Sequence, residues 1–198
     1  WTKSVHANAV IQPEFFVEVL GLIFRPKGET REHEPSEEER LRARNAYRLL
    51  MEWKDVPGST SKQTVDEALL NAWLRTARTL AAEKGLDEIA DSRIGQVFAF
   101  APNESDGTWP CTPVRDALEE IGTDEVFHGF EIGIYNKRGI VSKSLREGGA
   151  QERTLEAMYL GYSVACQVDW PQTAASLRRV AEMYEREARR EDTEAMLD

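Results

Sequence analysis

The sequence predicts an all-α protein of about eight helices packed as helical hairpins. Three observations carry that expectation. Apolar residues recur at three- and four-residue spacing through most segments. Helix starts and stops are written in cap residues and in Pro and Gly punctuation. Only one segment, 127–144, has the Gly and β-branched content of a hairpin, and no other strand is visible for it to join. The stretches EALLNAWL (67–74) and RTLEAMYL (153–160) are loosely alike. A short irregular α-solenoid is therefore a second form of the same class.

Each element has its own signal. Pro13 suits the first turn of a helix running to about Phe24, and Arg25-Pro26 stops it. Residues 27–35 are charged, lack periodicity and read as a mobile linker. They separate an N-terminal helical segment, 1–26, from an all-α domain, 36–198. Ser36 with Glu39 forms a capping box, and its helix runs to Trp53 before Pro57-Gly58. Thr64 with Glu67 reads as a second capping box. The helix after it places Leu69, Leu70, Trp73, Leu74, Ala77, Leu80 and Ala81 at helical spacing, with Gly85 closing it. A shorter helix spans Asp87 to Ala101, with Ile89, Ile94, Val97 and Phe98 inward. Thr112 reads as an N-cap with Pro113 at the first helical position, and Gly122 ends that helix. Thr123 caps the next, which turns Val126, Phe127, Phe130 and Ile134 inward and ends at Gly139. A long helix over about 150–168 carries Leu155, Met158, Tyr159, Tyr162 and Ala165 on one face. After Trp170-Pro171 the last helix aligns Leu177, Val180, Ala181, Tyr184 and Ala188.

Composition narrows the function classes. The chain has 198 residues, 41% hydrophobic and 30% charged, as in ordinary globular proteins. A net charge of −10 opposes non-specific binding to nucleic acid or anionic membrane. The apolar stretch FFVEVLGLIF is interrupted by Glu18 and is too short to span a bilayer. No signal-peptide pattern opens the chain. A start at Trp1 points to a fragment of a longer protein. Two cysteines, Cys111 and Cys166, make no disulfide framework, so a reducing compartment is expected, with a single 111–166 bridge as the alternative.

The motif search is mostly negative. His6, His33 and His128 are far apart, and Glu125-x-x-His128 is a single metal-like pair where a di-iron bundle needs two. The loop NESDGT fails calcium-loop register, because Gly107 at position six puts Pro102 at position one and Pro113 at position twelve. No nucleophile elbow or phosphate loop occurs. No cofactor, metal or catalytic residue is expected. Cys111, beside a helix N-terminus, is the candidate reactive thiol. Lys137, Arg138, Lys143, Arg146 and Arg153 form a basic segment in an acidic chain. They are candidate contacts for a phosphate, a nucleic acid or an acidic partner; alternatively Arg138 and Arg153 pair with carboxylates of neighbouring helices. Glu125, Glu131 and Asp106 are the carboxylates a hydrolase would use.

The ordered turn motifs DG-x-WP (106–110), N-x-RG (136–139) and GG-x-QER (148–153) lie between generic helical segments such as LRARNAYRLLMEW and AASLRRVAEMYEREARREDTEAML. Together, over about residues 40–198, they resemble a C-terminal helical region of large bacterial proteins of unknown function. The resemblance implies a bacterial, cytoplasmic origin, a longer parent chain and no activity of this region's own. A link to defence or genome maintenance follows by association. The function expected is a non-catalytic helical interaction or regulatory module, contacting a protein or other domains of its parent chain and no membrane. Nucleic-acid or phosphate binding through 137–153 is the alternative.

Overall fold

Side-chain caps start three of the eight helices among the described residues, and Pro and Gly mark several other boundaries. The computed structural model describes residues 12–29, 34–60, 63–139 and 148–197. The helices are α1 (Pro13–Ile23), α2 (Glu37–Glu52), α3 (Glu67–Glu83), α4 (Asp87–Phe98), α5 (Thr112–Ile121), α6 (Asp124–Arg138), α7 (Ala150–Cys166) and α8 (Pro171–Leu197). The protein is all-α; one isolated bridge, Ser59 to Val65, is its only extended pairing among those residues.

The Ser36–Glu39 box closes both ways, with Ser36 Oγ accepting from Glu39 N and Glu39 accepting from Ser36 N at 2.8 Å. Two caps differ from the sequence reading. Asp66, not Thr64, caps α3, its carboxylate accepting from Leu69 N at 3.0 Å. Thr64 instead shares a hydroxyl hydrogen bond with Thr60, so a β-bridged loop takes the residues that the Thr-x-x-Glu pattern assigned to the cap. Helix α5 starts one residue earlier than expected, with Cys111 at the cap position and no side-chain cap bond. Glu104 supplies the missing acceptor, taking the Thr112 N–H at 2.7 Å. That bond, chiefly, holds the Glu104 carboxyl below its ordinary value.

Of segment 127–144, residues 127–138 are helical, as the missing strand partner implied, and 140–144 lie outside the described residues; Gly139 ends the helix, but the glycines within it have a different purpose from turning. A Cβ on Gly129 would lie 2.0 Å from Ser92 O, and one on Gly95 would lie 2.0 Å from Val126 O. A Cβ on Gly133 would lie 2.5 Å from Gln96 O. Helices α4 and α6 therefore touch backbone to backbone, a closeness only glycine permits. The pairing skips α5, and α8 packs on α5, α6 and α7. A solenoid stacks each unit on its sequence neighbours; this order does not.

Two aromatic clusters anchor the core. Phe16 of α1 meets Trp53 and Trp73 at ring distances of 5.4 and 5.2 Å. Trp109 stacks on Phe130 at 5.3 Å and meets Tyr159 and Tyr162, while Tyr159 stacks on Tyr184 at 5.7 Å. Helix α1 thus shares its core with α2 and α3. Of the charged stretch 27–35, positions 30–33 lie outside the described residues, and Lys27 reaches Glu88 at 2.7 Å.

Helix α7 is turned differently from the sequence reading. Tyr159, Ser163, Cys166 and Glu152 are buried, whereas Met158 and Ala165 are exposed. Its partner α8 inserts Leu177, Val180, Ala181, Tyr184 and Ala188, as the spacing predicts. Leu69 of α3, expected inward, is also exposed, because Leu70 beside it takes the core position.

Candidate interaction surface

The chemistry-bearing residues named from sequence separate once folded. The corner 106–122 is built for position. Asp106 accepts from Thr108 N at 2.8 Å, and Trp109 donates its indole N–H to Ala101 O at 2.8 Å from a buried site. Cys111 is 4% exposed, and burial pushes its thiol up to about 11. The helix N-terminus beside it favours a thiolate, but desolvation is the larger effect. Arg115 lies over the Trp170 ring at 4.0 Å and donates to Thr112 Oγ1. Burial also raises the Cys166 thiol, with Arg115 opposing it. Both cysteines are free.

The basic segment divides. Arg138 pairs with Glu152 and, at 3.4 Å, with Glu187. Arg153 pairs with Asp192. Lys137 donates to Ala99 O at 3.1 Å and sits over the Phe100 and Trp109 rings. Burial lowers its pKa. Lys143 and Arg146 lie outside the described residues. Of the three described cations, Arg138 and Arg153 therefore pair with this protein's own carboxylates and Lys137 with a carbonyl and two rings.

The three candidate carboxylates occupy separate places. Asp106 holds its turn, Glu131 accepts from Ser176 and Arg179 at 2.8 Å, and Glu125 lies in the first turn of α6. A cleft of about 600 Å³ opens elsewhere, between Ser59 and Asn103, with Asp55 as the carboxylate in its lining. A shallower one of about 370 Å³ contains Glu152 and Glu187, both engaged by Arg138. Paired acid–base catalysis needs two carboxyl groups facing one substrate position; neither cleft brings together any two of Asp106, Glu125 and Glu131. Among the described residues no group of three His, Cys, Asp or Glu is placed to hold a metal. No helix there is long and apolar enough to cross a membrane.

The surface feature that stands out is the outward face of α7. From Ala157 to Val168 the chain carries no charge, an unusual run for a surface helix in a protein with 30% charged residues. Val164 is 60% exposed, Val168 87%, Leu160 42% and Met158 38%. Thr154, Ala157, Gly161 and Val164 are all exposed and follow one another at spacings of three, four and three, and Val168 is exposed in the turn just past the helix end. That is the seam spacing of a helix that packs along another helix. Sequence reading missed it because both faces of this stretch are apolar, so spacing alone left the rotation of the helix open. The usable signal was the absence of charge.

No protein-family model matches this chain, and no curated protein or solved structure matches it.

Proposed function

We propose that the protein is a non-catalytic helical interaction module whose contact surface is the outward face of α7. The observation that carries this reading is the exposed, uncharged seam of Thr154, Ala157, Gly161 and Val164, with Val168 exposed just beyond it. Covering an exposed Val or Leu side chain gains about 1.5–3 kcal/mol when burial is complete. Four such residues, each already partly covered, supply several kcal/mol against an association cost of similar size. An interface this small suits reversible association. The partner is a helix with a matching apolar stripe, in a second polypeptide or in another domain of a longer parent chain. Two buried free thiols suit a reducing compartment, consistent with a bacterial cytoplasmic setting. The pairing of Arg138 with Glu152 and Glu187, and of Arg153 with Asp192, favours this reading over nucleic-acid or phosphate binding.

A photo-crosslinking residue at Val164, compared with one at the exposed Arg178 of α8, tests the proposal in expressing cells. A discrete adduct at Val164 and none at Arg178 is expected. Equal yields at the two positions would remove α7 as the contact surface.

A further inference from the structure

Arg93 of α4 is a buried cation without a carboxylate. It is 8% exposed, in a chain where 35 acidic residues outnumber 25 basic ones and anions are plentiful. Its Nη1 donates to Gln96 Oε1 at 2.5 Å, one turn along the same helix. Its Nε is buried and has no hydrogen-bond partner. Among the described residues the titratable side chain that bears on it is Tyr47 of α2. Burial accordingly lowers the Arg93 pKa to about 10. Arg78 and Arg138 are less deeply covered, and each meets a carboxylate. Arg115, buried like Arg93, lies against the Trp170 ring and donates to Thr112. A guanidinium taken out of water is costly unless an anion answers it.

Beside Arg93 runs a trough between α2 and α4. Helix α2 packs on α1 and makes no close backbone contact with α4 among the described residues. Side chains bridge the space instead, at two places seven residues apart on both strands of the trough. Tyr47 bears on Arg93, and Lys54, just past the end of α2, lies 5.3 Å from the centre of the Phe100 ring. The two helices therefore run side by side in one direction, with about 10 Å between the bridges at helical rise. The α2 flank carries Arg44, Tyr47, Met51 and Lys54 at spacings of three, four and three. Tyr47 is 52% exposed and Met51 42%. Neither Arg44 nor Lys54 has an ion pair among the described residues. At Phe100 the trough meets the cleft of about 600 Å³, where Asp55 is the carboxylate in the lining. Lys137 lies over the same ring at 5.8 Å.

We infer that this trough docks an acidic peptide segment, one of whose carboxylates pairs with Arg93. Charge complementarity selects the occupant: Arg44, Arg93, Lys54 and Lys137 stand against Asp55, in a chain whose net charge is −10. The Nε and Nη2 edge of a guanidinium takes a carboxylate in two parallel hydrogen bonds. Tyr47 and Met51 lie between the cations, so the occupant brings apolar side chains as well as charge. A phosphate backbone has nothing to set on Met51. Depth argues the same way. Only the tip of a side chain reaches a guanidinium this buried, and a phosphodiester is tied to its chain on both sides. The surface is separate from α7, which packs on α8.

Selection from a random peptide library on the purified chain tests this. Enriched peptides are expected to combine Asp or Glu with large apolar residues. Arg93→Met is expected to weaken their binding about thirtyfold or more, the loss typical of a buried charge pair. Free of peptide, Arg93→Met should melt at or above wild type, because it removes a buried charge that has no anion. If that variant does not fold, Arg44→Glu with Lys54→Glu, both at exposed positions, should weaken the same peptides at least about tenfold. A library that yields no binder, binders without acidic residues, or binding that survives these substitutions would each overturn the proposal. A single-stranded oligonucleotide that displaces the peptides and itself needs Arg93 would assign the trough to phosphates and overturn it too. Crosslinking from Val164 should be the same in the Arg93 variant, so the two surfaces stand or fall separately.

Discussion

Gly129→Ala is expected to destabilise the protein by about 3 kcal/mol or more, the upper range for an overpacked core. Helix propensity alone predicts the opposite sign, a gain of up to about 1 kcal/mol. Contact geometry wins because the added Cβ would sit 2.0 Å from Ser92 O and 2.7 Å from Ser92 C. Those are backbone atoms within α4 and cannot rotate away, so the α4–α6 pair has to separate. Separation loosens the contacts that bury Val126, Phe130 and Ile134 against α4. Gly95→Ala is expected to behave alike, since its Cβ would meet Val126 O at 2.0 Å. Gly161→Ala is the control, with open space around it; at low protein concentration it should be neutral or slightly stabilising. Thermal melts of the three variants give the comparison. At roughly 2–4 °C per kcal/mol for a chain of this size, the two packing glycines should lose on the order of 10 °C. A Gly129→Ala protein melting at or above wild type would refute the backbone contact.

Arg138→Met is expected to cost about 3 kcal/mol, because it removes the cation beside a carboxylate buried in the fold. The side chains of Arg138 and Glu152 are 16% and 1% exposed, so solvent cannot replace the lost partner. Arg138 also ties the end of α6 to Glu187 of α8. Its guanidinium lies 5.5 Å from the Tyr184 ring centre. The double variant Arg138→Met with Glu152→Gln should recover much of the loss, since it removes both charges. Denaturant unfolding of the two singles and the double closes the cycle. Additive losses would mean that Arg138 and Glu152 contribute independently.

Much of the fold was legible in the chain because its boundaries rest on local chemistry. Ser36 with Glu39, Thr123, Gly122 and the Pro171 start act within a turn of themselves, and each stands where expected. The inward stripe of α8 was equally clear, with Arg and Glu on its other side. What the sequence could not specify were relations between distant segments. The glycines at 129 and 133 look like turn signals until Ser92 and Gln96 are seen against them. Thr64 had the right spacing to cap α3 but is drawn to Thr60, with Asp66 taking its place. Helix α7 offered no charge between Ala157 and Val168 to orient it, so Met158 and Ala165 were assigned inward. The basic segment looked unified because its members are neighbours in sequence. Folding hands Arg138 to Glu152 and Glu187, and Arg153 to Asp192, on other helices.

The account depends on what meets the outer face of α7. Moving a photo-crosslinking residue one position at a time from Thr154 to Val168, in cells that express the protein, reads that face directly. Adduct yield should rise at positions 154, 157, 161 and 164 and fall at Glu156, which lies off the seam. A yield that stays flat along the helix, with no three-and-four rhythm, would contradict the assignment of this face as the contact surface.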